Sequence, residues 1–396
     1  MQIHIMTPDE GLKETCNRYG IAEENVRYVN QIESDEPAIG QEMLMLMPTR
    51  TYRVQFGDTP ERISLRFGIT KRDLFTLNPW ICTRELTPGE TLTLRYDERK
   101  HGMKVANGYF FSECPDSALT RALPYLTYVT FASASANERG VRRIFNDSRQ
   151  VKLVSDESKI PLVRVYDSYA DRFKKGGDTT PFAERLIEIA KDGNYKGIVL
   201  NSSAFSDSAK EYMAFMVRLR KMMIGCDLIL ITEIDEKSPI EFSEYADGSV
   251  MYYPKFALDN PPSFDEGEKA ILTNFACDGE SAKTFVDLSC AARGPRGFCP
   301  IGDALKLARQ KGYPILQNEN TLLSRFVDKR QGEYVFQSLK GLERIFELIH
   351  QLDYMGICFD IMRVPTQLLM MYNALFKTCY HTNVRSREGC SRVAEE

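Results

Sequence analysis

The sequence has little histidine and tryptophan, with four His and one Trp in 396 residues. None of its ten cysteines forms a Cys-x-x-Cys pair, so the paired-ligand spacing of zinc sites is absent. A P-loop, a Gly-x-Gly-x-x-Gly turn and a nucleophile elbow are absent as well. We therefore predict no metal site and no cofactor, and we expect most cysteines to be reduced thiols that pack as small apolar residues.

The chain also lacks an excess of positive charge and any long apolar run. Its formal net charge is −4 and its pI is about 5.8, which predicts no binding to nucleic acid or to an anionic membrane. No apolar run approaches the roughly 20 residues that span a bilayer. The N-terminus, MQIHIMTPDEGLKETC, lacks the basic-then-apolar pattern of a secretory signal, so we expect cytoplasmic synthesis without a signal peptide.

Two related segments open the chain. Residues 51–96 alternate like a strand in TYRVQ, turn at GDT, continue through two short helices and close with the strand PGETLTLRY. The preceding stretch CNRYGIAEENVRYVNQ matches SLRFGITKRDLFTLNP at a constant offset of 48 residues, which places Gly20 over Gly68 and Asn30 over Asn78. A fixed offset across two helices indicates a duplicated β-α-α-β module.

The second copy resembles a LysM domain, a small module that binds N-acetylglucosamine chains in peptidoglycan and chitin. The GDT turn, the LNP end of the second helix and the L-x-P-G-x-x-L closing strand carry this resemblance. We assign residues 51–97 to a LysM module and residues 1–48 to a divergent LysM-like module, because the first copy has PDEG in place of the GDT turn. Structural spacing without binding is at least as good an interpretation of the first copy.

The resemblance implies two sugar-contacting loops in the second copy. The residues in these loops are Gly57, Asp58, Thr59, Asn78, Pro79, Trp80 and Ile81. An aromatic face with backbone amides suits the apolar face and N-acetyl group of a sugar. Packing of Trp80 over the small core of the module, or against the following domain, is an equally good interpretation.

From about residue 103 the pattern changes to short apolar strands that alternate with amphipathic helices. Eight candidate strands are NGYFF, LTYVTFA, PLVRVY, GIVLN, DLILIT, SVMYY, TFVDLS and MGICFDI. Eight strands with intervening helices predict an α/β fold, a (β/α)8 TIM barrel over residues 103–380, followed by a polar tail at 381–396.

This region resembles the family 18 glycoside hydrolase barrel. The stretches YLTYVTFASAS, GNYKGIVLN and LDYMGICFDIMRVP, with the two modules before them, are most similar to the branch that acts on spore cortex. In that family the fourth strand ends in D-x-x-D-x-D-x-E, whose last Glu protonates the leaving oxygen while the substrate acetamide attacks the anomeric carbon. Here the four acidic positions fall on non-acidic residues: Lys196, Val199, Asn201 and Ser203.

Other site positions of the family have changed too. In the family, a Trp at the end of the eighth strand forms the floor of the sugar site, and the aligned residue here is Asp360. The family's Tyr on the sixth strand aligns with Tyr253, which is also a tyrosine. A serine hydroxyl is far too weakly acidic to serve as the general acid near neutral pH, and loss of general acid catalysis lowers the rate by about 10²–10⁴. Glu233 and Asp360 end barrel strands and could be relocated acids, but helix caps or salt bridges explain them at least as well.

We therefore predict a protein that binds peptidoglycan or chitin through LysM modules joined to an inactive family 18-like barrel. One alternative is an active glycosidase with relocated acids that cleaves β-1,4-linked N-acetylglucosamine. Another is an interaction scaffold with spore-envelope proteins as partners. The assignment to a spore envelope rests only on the resemblance to the family.

Overall fold

The computed structural model describes residues 1–82, 84–96, 100–137, 140–166, 178–202, 209–235, 238, 241–252 and 259–379. The tail from residue 381, together with Ser203 and Tyr253, lies outside the described residues. The description below is confined to those ranges.

The N-terminus folds as two β-α-α-β units. The first contains β1 (Gln2–Ile5), α1 (Leu12–Tyr19), α2 (Glu23–Val29) and β2 (Glu42–Met45). The second contains β3 (Pro48–Arg53), α3 (Pro60–Phe67), α4 (Lys71–Leu77), a 3₁₀ turn at Pro79–Cys82, and β4 (Thr91–Tyr96). In each unit the two strands form an antiparallel pair. We call these units the first and second repeat.

Equivalent glycines end the first helix of each repeat. Gly20 and Gly68 follow α1 and α3 in the left-handed conformation, with φ values of 66° and 65°. A side chain with a Cβ is strained there, so glycine is the residue that ends these helices at low cost. The offset of 48 residues therefore reflects a shared backbone requirement.

Equivalent asparagines join the second helix of each repeat to its last strand. The Asn30 amide donates to Val26 O (2.8 Å) and Leu44 O (3.1 Å), and its Oδ1 accepts from Leu44 N (2.7 Å). The Asn78 amide likewise donates to the carbonyl four residues earlier (2.9 Å) and to Thr93 O (2.7 Å), and its Oδ1 accepts from Thr93 N (2.7 Å). We call each set the asparagine clamp.

Eight parallel strands then close into a barrel, as the sequence predicts. They are β5 (Met103–Phe110), β6 (Tyr128–Asn137), β8 (Ile160–Tyr166), β9 (Gly197–Asn201), β10 (Ile229–Asp235), β11 (Gly248–Tyr252), β12 (Thr284–Asp287) and β18 (Gly356–Asp360). Pairing of β5 with both β6 and β18 closes the sheet. The short strands β7 (Gly140–Arg143) and β19 (Lys377–Thr378) extend it at β6 and β5.

Helices surround the barrel. They are α5 (Asp116–Ala122), α6 (Ser148–Asp156), α7 (Thr180–Asp192), α8 (Ala209–Ile224), α9 (Glu241–Glu244), α10 (Ala270–Cys277), α12 (Leu339–Gln351) and α13 (Thr366–Leu375). Their apolar faces pack on the outside of the sheet, while Tyr128, Leu162, Val199 and Phe285 fill its interior. This is the layered core that defines the fold.

An additional antiparallel sheet is inserted between the seventh and eighth barrel strands. It contains β13 (Ala291–Gly294), β14 (Gly297–Pro300), β15 (Leu316–Asn318), β16 (Leu323–Asp328) and β17 (Gly332–Gln337), with helix α11 (Ile301–Lys311). The sequence analysis does not predict this sheet. Its strands are only three to six residues long, so their period-two pattern is weak.

Both repeats pack against the barrel domain. Gln367 of α13 donates from Nε2 to the clamp residue Asn30 (2.7 Å), and the Leu339 amide at the start of α12 donates to the Glu42 carboxylate of the first repeat. In the second repeat, Thr76 O accepts from the Tyr125 hydroxyl of the barrel domain (2.7 Å). The repeats are therefore held on the barrel by buried hydrogen bonds.

Candidate functional site

The carboxyl ends of the barrel strands surround a cavity of about 360 Å³. Its lining includes charged or polar side chains from seven of the eight strands: Tyr109, Arg164, Asn201, Glu233, Tyr252, Asp287 and Asp360. Enzymes with this fold keep their active sites at this end of the barrel. We call this space the barrel cavity.

The fourth barrel strand contributes no acid to the cavity. Lys196 precedes β9 and is exposed, and Val199 is buried in the barrel interior. Asn201 ends the strand and lines the cavity, while Ser203 lies outside the described residues. These side chains are a cation, a hydrocarbon, a neutral amide and an alcohol, so none of the four can replace a carboxylic acid.

Glu233 is the carboxylate nearest to the end of the fourth strand, because it is the register partner of Asn201 on β10. Its two oxygens accept from Arg164 Nε and Nη2, both at 2.7 Å, and Oε1 also accepts from the Tyr109 hydroxyl (2.6 Å). A bidentate guanidinium–carboxylate pair, with two parallel N–H···O hydrogen bonds, is among the strongest ion pairs in proteins. Glu233 is thus held by side chains of two other barrel strands, β5 and β8.

The electrostatics of this cluster agree with an ion pair. Burial lowers the pKa of the Arg164 guanidinium, but the charge of Glu233 and its hydrogen bonds outweigh this and raise that pKa above its ordinary value. Burial, together with the Glu233 charge, also raises the pKa of the Tyr109 hydroxyl well above its ordinary value, so Tyr109 stays protonated and donates. Both Glu233 oxygens are thus engaged by hydrogen-bond donors of the protein itself.

Asp360, the second predicted substitute acid, is also bonded within the protein. Its Oδ1 accepts from Met362 N (2.9 Å), and its Oδ2 lies 3.3 Å from Arg363 Nε. Burial raises the pKa of its carboxyl, which the Met362 amide and Arg363 oppose. The structure brings Glu233 and Asp360 to one cavity, and each of them has an arginine partner.

Asp287, at the end of the seventh strand, is a site residue that the sequence analysis misses. The Cys358 thiol donates to its Oδ1 at 3.3 Å, and no cation pairs with it among the described residues. Burial, reinforced by the charges of Glu233 and Asp360, raises the pKa of Asp287 from 3.8 to about 7. The available signal was its position at the carboxyl end of the strand TFVDLS.

The sixth strand also reaches the cavity. Tyr252 lines it and is half-exposed, and burial raises the pKa of its hydroxyl. Tyr253, the residue that the sequence analysis aligns with the tyrosine of the family, lies outside the described residues. Its contact with a glycan stays a prediction.

The first predicted sugar loop of the second repeat is exposed. Gly57 adopts a φ of 82°, and Asp58 accepts from Gln55 N (2.7 Å) and from the Tyr52 hydroxyl (2.6 Å). Thr59 caps α3 by accepting from Arg62 N at 3.3 Å. Beside these residues Phe56 is 95% exposed, a feature that the sequence analysis does not single out. The loop therefore presents an aromatic ring on a hydrogen-bonded turn.

The second predicted sugar loop is buried. Asn78 forms the asparagine clamp, and Pro79 and Ile81 are in the interior. Trp80 is only 6% exposed and contacts Tyr28 of the first repeat edge-on, with 5.1 Å between the ring centroids. Packing of Trp80, one of the two interpretations above, is present in the structure. Sugar contact at these four residues stays a prediction.

Within the described ranges, no cluster of three His, Cys, Asp or Glu side chains has the arrangement that a metal ion needs. In the same part of the chain, every helix is too short or too polar to cross a membrane. These findings concern only the residues that the structure covers.

The fold and the family match together define the class of protein. Residues 52–95 match the LysM domain family. The protein therefore carries a LysM domain near its N-terminus, followed by a closed eight-stranded parallel barrel. No curated protein is significantly similar to the sequence.

Solved structures of low sequence identity share this architecture. The spore cortex-lytic enzyme SleL of Bacillus megaterium is 16% identical, with a TM-score of 0.74, over 96% of this chain and 99% of that chain. SleL of Bacillus cereus is 14% identical, with a TM-score of 0.73, over 96% and 98%. A chitinase of Chromobacterium violaceum is 12% identical, with a TM-score of 0.60, over 68% and 98%. At these identities the likeness establishes the fold.

Proposed function

We propose that this protein binds N-acetylglucosamine-containing polysaccharide, of the peptidoglycan or chitin type, and that its barrel does not hydrolyse it. The LysM domain supports glycan binding, and the barrel fold shared with SleL and a chitinase supports the same class of ligand. The boundaries 51–97 and 103–380, the LysM-like nature of residues 1–48, and the tail at 381–396 are part of this proposal.

The observation that carries the proposal is the ion pair between Glu233 and Arg164 beside Asn201. A general acid must hold a proton at the leaving oxygen and release it in the transition state. The carboxylate closest to the fourth strand accepts three hydrogen bonds instead, and the strand itself ends in an amide. This site can bind polar groups of a sugar, but it lacks the proton donor of the family.

The proposed setting is a spore envelope, with envelope proteins as further partners. It rests only on the likeness to two spore cortex-lytic enzymes. Glycan binding does not depend on it.

Co-sedimentation tests the proposed function directly. Purified protein is mixed with insoluble chitin, with peptidoglycan and with cellulose, and the bound fraction is measured after centrifugation. We expect retention on the first two polymers and not on cellulose, which lacks the N-acetyl group. Equal recovery in the supernatant with all three would contradict glycan binding.

Asp287 favours a second candidate function, hydrolysis with a relocated acid. A carboxyl with a pKa of about 7 that faces a cavity and has no cationic partner in the described part of the chain is suited to donate a proton near neutral pH. This assignment replaces Glu233 and Asp360 as the relocated acids. Release of reducing ends that Asp287→Asn abolishes and Asp235→Asn preserves would establish it.

A further inference from the structure

A second cavity, of about 210 Å³, lies between the two repeats. Three residues of α2 and three residues of the second repeat line it: Glu24, Asn25, Tyr28, Trp80, Arg84 and Glu90. It shares no lining residue with the barrel cavity. We call it the inter-repeat pocket.

Two aromatic rings form one wall of this pocket. The Tyr28 and Trp80 rings meet at 64° with 5.1 Å between their centroids, which is a stable edge-to-face arrangement. Most of the indole belongs to the core of the second repeat, together with Leu74 and Leu92. The aromatic wall is therefore fixed in place before any ligand arrives.

Two hydrogen-bonding side chains of the pocket have no partner among the described residues. These are the indole N–H of Trp80 and the carboxamide of Asn25, although Asn25 is only 9% exposed. Neither side chain is among the fully buried unpartnered groups, so their polar atoms are accessible from the pocket. Together they offer donors, and the Asn25 oxygen offers an acceptor.

The charged residues of the pocket are held by other contacts. Arg84 and Glu90 form an ion pair at 2.5 Å, so their charges compensate each other. Glu24 Oε1 accepts from Thr91 N at 3.3 Å, which ties α2 of the first repeat to the last strand of the second. With Glu24 and Glu90 against Arg84, the pocket has one formal negative charge, which disfavours an anionic ligand and leaves a neutral polar ligand as the better fit.

We propose that the inter-repeat pocket binds one ring of an uncharged N-acetylated sugar. The aromatic wall receives the apolar face of the ring, and the Asn25 and Trp80 donors bind its carbonyl or hydroxyl oxygens. The Glu24 carboxylate accepts from a hydroxyl or from the acetamide N–H. This inference rests on the proposed function, and it locates sugar binding at a site that needs both repeats.

The volume supports a single ring. Pockets for drug-sized ligands have volumes of about 300–1,000 Å³, and the inter-repeat pocket is smaller than this range. The rest of a glycan chain would lie outside it, within reach of other surfaces of the protein.

Tryptophan fluorescence of the full chain provides a selective test, because Trp80 is the only tryptophan. The probe is the β-1,4-linked tetramer of N-acetylglucosamine, with the glucose tetramer as the comparison. We expect the N-acetylated tetramer to change the Trp80 emission in a saturable way. Asn25→Ala should raise the Kd about five- to tenfold, the loss of one hydrogen bond.

Asn17→Ala is the matched control, because Asn17 is an exposed asparagine of the same repeat outside the pocket. It should titrate like the unmodified protein. Asn25→Ala places a better helix former in α2, so it should fold, and its circular dichroism spectrum verifies this.

The outcomes separate this inference from the proposed function. If the protein sediments with chitin but Asn25→Ala titrates like Asn17→Ala, or the Trp80 emission does not change, the pocket assignment is wrong and glycan binding stands. If the protein neither sediments with chitin nor responds to the tetramer, both are wrong. An equal response to the glucose tetramer would contradict recognition of the N-acetyl group.

Discussion

The two repeats have the same backbone in different surroundings. In the first repeat, the clamp residue Asn30 also accepts from Gln367 of the barrel domain, and Glu42 is buried against the start of α12. In the second repeat, the clamp residue Asn78 bonds only within its own unit, and the neighbouring loop exposes Phe56 almost completely. The first copy is built into the barrel, whereas the second presents a loop to solvent.

The two repeats share backbone features but differ in what their side chains contact. The asparagine clamp and the left-handed glycine preserve the fold in both copies, and they leave the remaining side chains free to change. In the first repeat, Asn30 and Glu42 contact the barrel domain. Only the second copy retains the turn and the sequence that the LysM family model matches.

The largest expected effect comes from breaking the two clamps. Each Asn→Ala change leaves buried backbone groups without partners, at about 1–3 kcal/mol for each unsatisfied group. We expect Asn78→Ala to lower the free energy of unfolding by about 3 kcal/mol. Asn30→Ala should cost about 1 kcal/mol more, because Gln367 also loses its acceptor. Urea unfolding of both variants measures the two losses in free energy of unfolding. Equal losses would show that the contact between Asn30 and Gln367 adds nothing to the stability of the first clamp.

The next effect concerns Glu42, which lies two residues before the clamp partner Leu44, as Thr91 lies two residues before the clamp partner Thr93 in the second repeat. Burial raises the pKa of Glu42 from 4.5 to about 7, opposed by the Leu339 amide. The folded protein therefore binds this proton more tightly than the unfolded chain, and the free energy of unfolding falls as the pH rises from about 4.5 to 7. We expect a contribution of about 1–3 kcal/mol across this range.

Glu42→Gln isolates this contribution. The amide oxygen still accepts from Leu339 N, but the side chain no longer titrates, so the slope of stability against pH should flatten between pH 4.5 and 7. Thr91→Ala serves as the control in the second repeat and should leave the slope unchanged. An unaltered slope in Glu42→Gln would contradict the buried, ionisable character of this contact.

We expect Phe56 to have the smallest effect on stability. We expect it to have a clear effect on glycan binding. Because the ring is 95% exposed, Phe56→Ala should change the free energy of unfolding by less than about 0.5 kcal/mol. If the ring stacks on a sugar, retention on chitin should weaken about three- to tenfold. Leu65→Ala is the control, because Leu65 is an exposed apolar side chain of the same repeat. Equal retention of both variants would remove Phe56 from the binding surface.

Much of the architecture could be predicted from local sequence. The eight barrel strands are short, largely apolar runs, and each predicted segment overlaps its strand, as GIVLN and MGICFDI illustrate. The constant offset of 48 residues predicted the first repeat from the pattern of the second. The inserted sheet was missed, because its short strands carry little periodicity.

The chemistry of the barrel cavity could be predicted only in part. The sequence aligns Asn201, at the end of the fourth strand, with an acidic position of the family, and this alignment stays a prediction. The pairing of Arg164 with Glu233 could not be predicted, because it joins the third and fifth strands across the fourth and exists only in the closed barrel. The raised pKa of Asp287 depends likewise on burial that only the tertiary fold creates.

The central claim is that the protein binds N-acetylglucosamine polymers without cleaving them. One time course tests it: the full chain is incubated with the N-acetylglucosamine tetramer and with peptidoglycan between pH 4 and 8, and new reducing ends are counted while bound protein is measured in parallel. The account predicts bound protein and no increase in reducing ends at any pH. Sustained release of reducing ends, abolished by Asp287→Asn, would contradict the claim and identify the protein as a hydrolase.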